Sequence, residues 1–211
     1  ADSVTWRAGE AERMFRKILV IGGALWVLHT WLSAPAPVET DVASVYPDDY
    51  VRWLAPEKAP FQKAVHRPQT FRHGDYTITP LARFQVAGRV LGRRQYRFDR
   101  EAELARVDLA MGWGPMARSD VLEALEIRQA GRWYHWRADR LPVPRRDIES
   151  NSANMHMIAA SEAVAEQLGR VRDGDRIRFR GFLVHVRGED GWQWRSSLSR
   201  TDTGDGACEL V

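Results

Sequence analysis

The start of the chain and the rest of it carry different hydrophobic rhythms. Residues 18–32 read ILVIGGALWVLHTWL, and with Ser33 and Ala34 they make a continuous run without a formal charge. That run reaches the lower edge of the roughly 17–25 residues an α-helix needs to cross a hydrocarbon core. From Leu81 onward the apolar residues instead alternate with polar ones in short stretches broken by glycine, the period of strands with one buried face. Strands are predicted over Ala82–Leu91, Arg106–Met111 and Leu125–Trp136, with a closing pair over Arg176–Arg187 and Trp192–Leu198. In the first strand of that pair Ile177 and Phe179 take one face while Arg176, Arg178 and Arg180 take the other. Gly188 to Gly191 then form the hairpin loop.

A helix is predicted from Ser161 to Leu168, with Ser161 as its N-cap, Val164 and Leu168 on one face and Gly169 just past its end. A second, very brief helix starts at Ser119 or Asp120. The order is thus three strands, a helix and two strands, a mainly β fold built as a small barrel or sandwich.

Prolines separate the two regimes. Seven of the ten lie between the apolar run and residue 80: Pro35, Pro37, Pro47, Pro56, Pro60, Pro68 and Pro80. Such spacing opposes long helices and central strands. Tyr46, Tyr50, Trp53, Leu54, Phe61 and Phe71 lie among them, so the stretch reads as an extended arm with apolar contacts. The expected organisation is an arm over 1–17, a transmembrane helix over 18–34, a proline-rich linker over 35–80 and a β-rich globular domain over 81–211.

Charge sets the direction of the span. Arg7, Arg13, Arg16 and Lys17 precede it, whereas residues 33–50 hold Glu39, Asp41, Asp48 and Asp49 and no basic residue. Basic residues mark the cytoplasmic side, so the N-terminus is expected inside and the globular domain outside a cytoplasmic membrane. The anchor residues are Ile18, Val20, Leu25, Trp26, Leu28, Trp31 and Leu32. The alternatives are a cleavable signal peptide, since Ala34-Pro35-Ala36 follows the apolar run, and a buried soluble helix, since the run is short for a span. His29 is the titratable group of the span; it could ligate a haem or pigment metal or bond a partner helix, though a place near the headgroups accounts for it more simply.

The order of elements, with Gly174-Asp175-Arg-Ile-Arg-Phe-Arg-Gly181, resembles the five-stranded OB-type barrel, which has a helix between its third and fourth strands. The stretches Asn151-Ser-Ala-Asn-Met-His-Met-Ile158 and Ser196-Ser-Leu-Ser-Arg-Thr-Asp-Thr-Gly-Asp-Gly-Ala-Cys-Glu209 resemble an uncharacterised bacterial family of single-pass, membrane-anchored exported domains. That resemblance implies the inner membrane, with the domain in the periplasm, and implies no activity.

Composition narrows the chemistry. In 211 residues, 31 basic side chains are nearly offset by 28 acidic ones, so a net charge of +3 creates no demand for a nucleic acid partner. The single cysteine, Cys208, excludes an intrachain disulfide. Asp202-Thr-Gly204 matches the aspartic protease tripeptide in one copy, where catalysis needs two carboxylates, and an Asx-type turn is the favoured reading. Asp202, Asp205, Gly206 and Glu209 lack the spacing of a calcium loop. Met155-His156-Met157 holds copper-type ligands, yet in a strand His156 points away from both methionines. No G-x-S-x-G, H-E-x-x-H, P-loop or G-x-G-x-x-G is present.

These readings lead to the expectation of a non-catalytic accessory subunit of a larger inner-membrane complex; His29 and the span tryptophans point to an energy-transducing one, photosynthetic or respiratory. No cofactor is called for; the expected partners are integral membrane subunits and the lipid bilayer. Trp53, Phe61, Arg176, Arg178, Arg180, Trp192 and Trp194 are the expected partner-binding residues, because arginine and tryptophan anchor interfaces. The alternatives are an exported module for oligosaccharide or nucleic acid, and a hydrolase acting through Asp202 or Cys208.

Overall fold

The computed structural model describes residues 55, 56, 58–199, 202 and 208–211, all within one unit, Ala36–Val211. The predicted transmembrane helix, its anchor residues, His29 and Trp53 lie outside the described residues. Among the described residues no helix is long and apolar enough to cross a membrane.

The chain forms short strands β1 (Phe61–Ala64) and β2 (Phe71–His73), then β3 (Tyr76–Gln95), a 20-residue strand to which both pair. A loop with a short 3-10 helix (Arg100–Glu103) leads to β4 (Val107–Gly112). After the short helix α1 (Ser119–Leu122) comes a separate hairpin of β5 (Glu126–Ala130) and β6 (Trp133–Arg137). Helix α2 (Arg145–Ser150), β7 (Ser152–Met157) and helix α3 (Glu162–Arg170) follow, then β8 (Arg176–Gly188), β9 (Gln193–Arg195) and β10 (Glu209–Leu210).

The main sheet runs in the order β10, β7, β4, β3, β8, β9. Its pairings are antiparallel except for β7 with β10, which run parallel. The two ends of this path meet: Ser197 N donates to Cys208 O at 3.0 Å, and Leu210 N donates to Ser196 Oγ at 3.1 Å. The result is a nearly closed barrel, which leaves few unpaired edge groups.

The expectation that the prolines keep residues up to 80 out of central strands is overturned by β3, which pairs on both sides. Pro80 sits where the register with β8 shifts, between Pro80 and Ala82. A bulge tolerates proline because a ladder bond is already missing there. The extra residue also swaps the faces of the strand. Before it, Tyr76 and Ile78 pack with Phe182, Val184, Val186, Leu104 and Leu210. After it, Ala82, Phe84, Val86 and Val90 pack on the opposite face with Leu109, Met111, Met155 and Leu183. One strand therefore serves two cores.

Other expectations shift in detail. The run Leu125–Trp136 is two strands joined at Gly131 and Arg132 instead of one. Ser161 caps α3 as expected, its Oγ accepting from Val164 N at 3.3 Å, and Leu168 packs on the core. Val164 stays exposed, and the helix runs through Gly169 to Arg170. The final strand is shorter than expected because Ser196 and Ser197 turn to bond the β10 segment.

Close backbone approach explains one glycine. A Cβ on Gly88 would lie 2.4 Å from the Gly112 carbonyl oxygen of β4. A backbone atom cannot yield as a flexible side chain would, so Gly88→Ala is expected to lower stability by about 1–3 kcal/mol in urea denaturation.

Candidate functional site

The hairpin β5–β6 turns on two residues, Gly131 and Arg132, with φ of 57° and 69°. Tight two-residue turns of this kind suit the twist of antiparallel strands but demand positive φ at both positions. Arginine there carries backbone strain of about 1–3 kcal/mol. Its side chain supplies the compensation. Arg132 Nε and Nη2 grip Asp99 at 2.9 and 2.7 Å, and Nη1 donates to Asp108 Oδ1 at 2.9 Å and to the Ala105 carbonyl at 2.8 Å. The guanidinium lies 4.1 Å over the Tyr96 ring, while Arg132 N donates to Tyr96 Oη at 2.9 Å. Hydrogen bonds and attraction thus tie the turn to the β3–β4 loop and to β4.

Asp108 stands opposite His156 across β4 and β7, so both side chains leave the sheet on the side away from Leu109 and Met155. The Asp108 side chain is fully buried. Its Oδ1 lies 3.0 Å from His156 Nδ1, an ion-pair distance out of line for a hydrogen bond. The His156 ring packs 4.8 Å from that of Trp194. Asn154 completes the group: its Nδ2 donates to the Arg132 carbonyl at 2.9 Å and its Oδ1 accepts from Gln129 Nε2 at 2.8 Å. Tyr134 and Ser152 share a hydroxyl bond of 2.9 Å. The hairpin is thereby sealed onto the β4–β7 face by polar groups that satisfy one another.

Electrostatics follow this geometry. Burial works to raise Asp99, but the hydrogen bonds and charge of Arg132 outweigh it and hold the carboxyl below its ordinary value. Burial likewise works against the charge on Arg132, and its two carboxylates overcome it. Burial pushes the Cys208 thiol up to about 12, with the charges of Glu209 and Asp108 acting in the same direction. A nucleophilic cysteine needs the opposite shift.

The sequence candidates are scattered by the fold. Cys208 Sγ sits 3.9 Å from the Arg132 carbonyl. Asp202 accepts a hydrogen bond from Ser197 Oγ, so it braces the strand end. Met155 and Met157 belong to the core while His156 faces the other way, as the alternation required. Among the described residues no group of three or more His, Cys, Asp or Glu side chains is placed to hold a metal. Arg176, Arg178 and Arg180 are exposed on β8. Phe61, Gln85 and Arg180 lie in one row across β1, β3 and β8. The tryptophans are elsewhere: Trp194 stands opposite Val186, roughly 20 Å along the strand from Arg180, and packs inward. Trp192 lies edge-on to Tyr76 at 5.7 Å and beneath the Arg100 guanidinium at 4.6 Å. Arg100 also holds Asp190 through two bonds of 2.7 and 2.9 Å, which ties the β3–β4 loop to the β8–β9 turn.

No family model, curated protein or solved structure matches this chain. Sequence reasoning missed Arg132, Asp99, Asp108 and Asn154; the available signal was Gly131 between two alternating runs, which marks a hairpin turn.

Removal of Arg132 would leave Asp108 buried without its cation. Arg132→Ala is expected to cost about 3–5 kcal/mol in chemical denaturation, and Arg132→Lys to recover little of it, because an ammonium cannot reproduce the fork to Asp99. The thiol of Cys208 should resist iodoacetamide in the native protein at neutral pH and react fully in urea, with alkylation followed by mass spectrometry. Rapid native labelling would contradict the raised pKa.

Proposed function

We propose that this chain is a non-catalytic accessory subunit of an inner-membrane complex, held by an anchor over residues 18–34, with its barrel exported and packed against partner subunits. The observation that carries the reading is the hairpin sealed by Arg132. The strand order, the parallel pairing of β7 with β10 and the position of α3 between β7 and β8 fit an OB-type barrel in which β3, β4, β7 and β8 are the first four strands and the β9 and β10 segments together make the fifth. Barrels of that type bind oligomers on the face of their second and third strands and through the loops after the first and fourth. Here the corresponding face, β4 and β7, is covered by the chain's own hairpin. The corresponding loops are tied together by Arg100 and Asp190. A face so occupied favours a packing role over a ligand-binding module.

The chemistry agrees with this. The buried His156–Asp108 pair has its acid engaged by Arg132, and the nearby thiol is held protonated. Partner contact is assigned to Phe61 and the exposed Arg176, Arg178 and Arg180, with His29 contributing from the anchor and Trp53 from the proline-rich arm. Arginine at such positions forms directional bonds to carboxylates of a neighbour. Membership in the family of anchored exported domains named above, and a place in an energy-transducing complex for His29, belong to the same proposal.

Extraction in a mild detergent followed by affinity isolation of the full chain should recover integral membrane subunits in fixed ratio, and Arg178→Glu with Arg180→Glu should reduce that recovery. Isolation of the chain alone, or solubility without detergent, would overturn the proposal.

A further inference from the structure

Three aromatic rings run in contact from the hairpin junction to the start of β3. Trp194 packs 4.8 Å from the His156 ring and 6.1 Å from Trp192, and Trp192 lies 5.7 Å from Tyr76. Both tryptophans are half-buried, so a small solute reaches them, whereas Tyr76 is only 6% exposed. Indole and phenol are among the most easily oxidised side chains, and electron exchange between aromatic rings is fastest at such contact distances.

The end at Tyr76 is equipped to release a proton. Its hydroxyl donates to Glu103 Oε2 at 2.6 Å, and Arg100 Nε donates to the same hydroxyl oxygen at 3.2 Å. A phenol that loses an electron becomes so strong an acid that the electron leaves readily only when the proton leaves with it. Here a carboxylate is already bonded to that proton, and Glu103 is exposed, so water solvates the product. Arg100 Nε remains in place to donate to the phenoxyl oxygen. Tyr96, the other tyrosine beside the junction, accepts from Arg132 N and bonds no carboxylate among the described residues. The row of rings therefore has one outlet, and it is Tyr76.

We propose that Trp194, Trp192 and Tyr76 form a relay that carries a one-electron oxidation away from the junction around Arg132 and settles it on Tyr76. The oxidant is a diffusible one-electron acceptor of high potential, of the peroxyl radical class. It takes an electron from Trp194, becomes a peroxide anion and leaves the indole radical cation. Trp192 refills Trp194, and Tyr76 then gives its electron to Trp192 and its phenolic proton to Glu103. The sum is a reduced oxidant, two restored tryptophans, a neutral tyrosyl radical and a protonated Glu103. The group spared is Cys208, whose Sγ lies 3.9 Å from the Arg132 carbonyl in the same junction. Its oxidation would put added polar oxygens under the sealed hairpin. The relay depends on neither the anchor nor a partner subunit.

The test uses the full chain in mild detergent carrying Arg195→Cys, an exposed position next to Trp194, where a ruthenium polypyridyl complex is attached. The thiol of Cys208 stays protonated and does not compete for the label. A flash with an electron-accepting quencher converts the label to Ru(III), and the radicals are followed by transient absorption and by electron paramagnetic resonance of frozen samples. The relay predicts a tryptophan radical that decays at the rate at which a tyrosyl radical rises. Tyr76→Phe should abolish the tyrosyl signal and prolong the tryptophan radical, and Trp192→Phe should lower the tyrosyl yield. Glu103→Gln alters an exposed side chain and keeps a hydrogen-bond acceptor for Tyr76 while taking no proton, so it tests the coupled step with the core intact. It should slow the tyrosyl rise and leave the initial tryptophan radical yield unchanged. A tyrosyl signal that persists in Tyr76→Phe, an unchanged yield in Trp192→Phe or an unchanged rise in Glu103→Gln overturns the proposal. A tryptophan radical that decays in the labelled parent without any tyrosyl signal overturns it as well.

Discussion

One buried guanidinium holds the architecture together. Arg132 reaches from a strained turn into the space between a loop and the barrel, where Asp99 and Asp108 meet it. Removing Asp108 wholly and Arg132 largely from water costs several kcal/mol for each, and only a complete set of partners offsets that. The set is complete here: both carboxylates, a backbone carbonyl and the face of Tyr96 surround the guanidinium, while Asn154 accepts the hairpin from below. The backbone strain at φ of 69° persists because the surrounding structure over-determines it.

The same constraint organises what the surface offers. By fixing the hairpin over β4 and β7, Arg132 fills the sheet face that would otherwise be the natural place for a ligand. By gripping Asp99, it also fixes the loop between β3 and β4. The proposed accessory role is therefore a consequence of one buried interaction: the centre of the β4–β7 face is closed by the chain itself.

Much of the barrel was legible because its cause is local. Alternation of Ile177 and Phe179 with Arg176, Arg178 and Arg180 announces β8, Ser161 announces the start of α3, and Met155 and Met157 flank a histidine that had to face away. What was not legible depends on partners distant in sequence. Asp108 reads as a solvent-facing break in an apolar strand until Arg132, 24 residues later, is placed against it. Pro80 reads as a barrier to a central strand until a bulge against β8 removes the need for its missing N–H. The turn at Gly131 and Arg132 lacks the asparagine or aspartate that usually marks such a hairpin, since its second residue was chosen for reach and not for backbone ease. Polar residues whose partners are nonlocal are the ones that single-sequence patterning misassigns.

With Arg132 bonded at both Asp99 and Asp108, the hairpin never leaves its face while the barrel is folded. The Arg132 amide, bonded to Tyr96 Oη across that junction, reports this directly by native-state hydrogen exchange. It should exchange with the same opening free energy as the Leu109 amide in the core of β4. Exchange of Arg132 at a markedly lower free energy than Leu109 would mean that the hairpin opens alone, that the β4–β7 face is available to a ligand, and that the account is wrong.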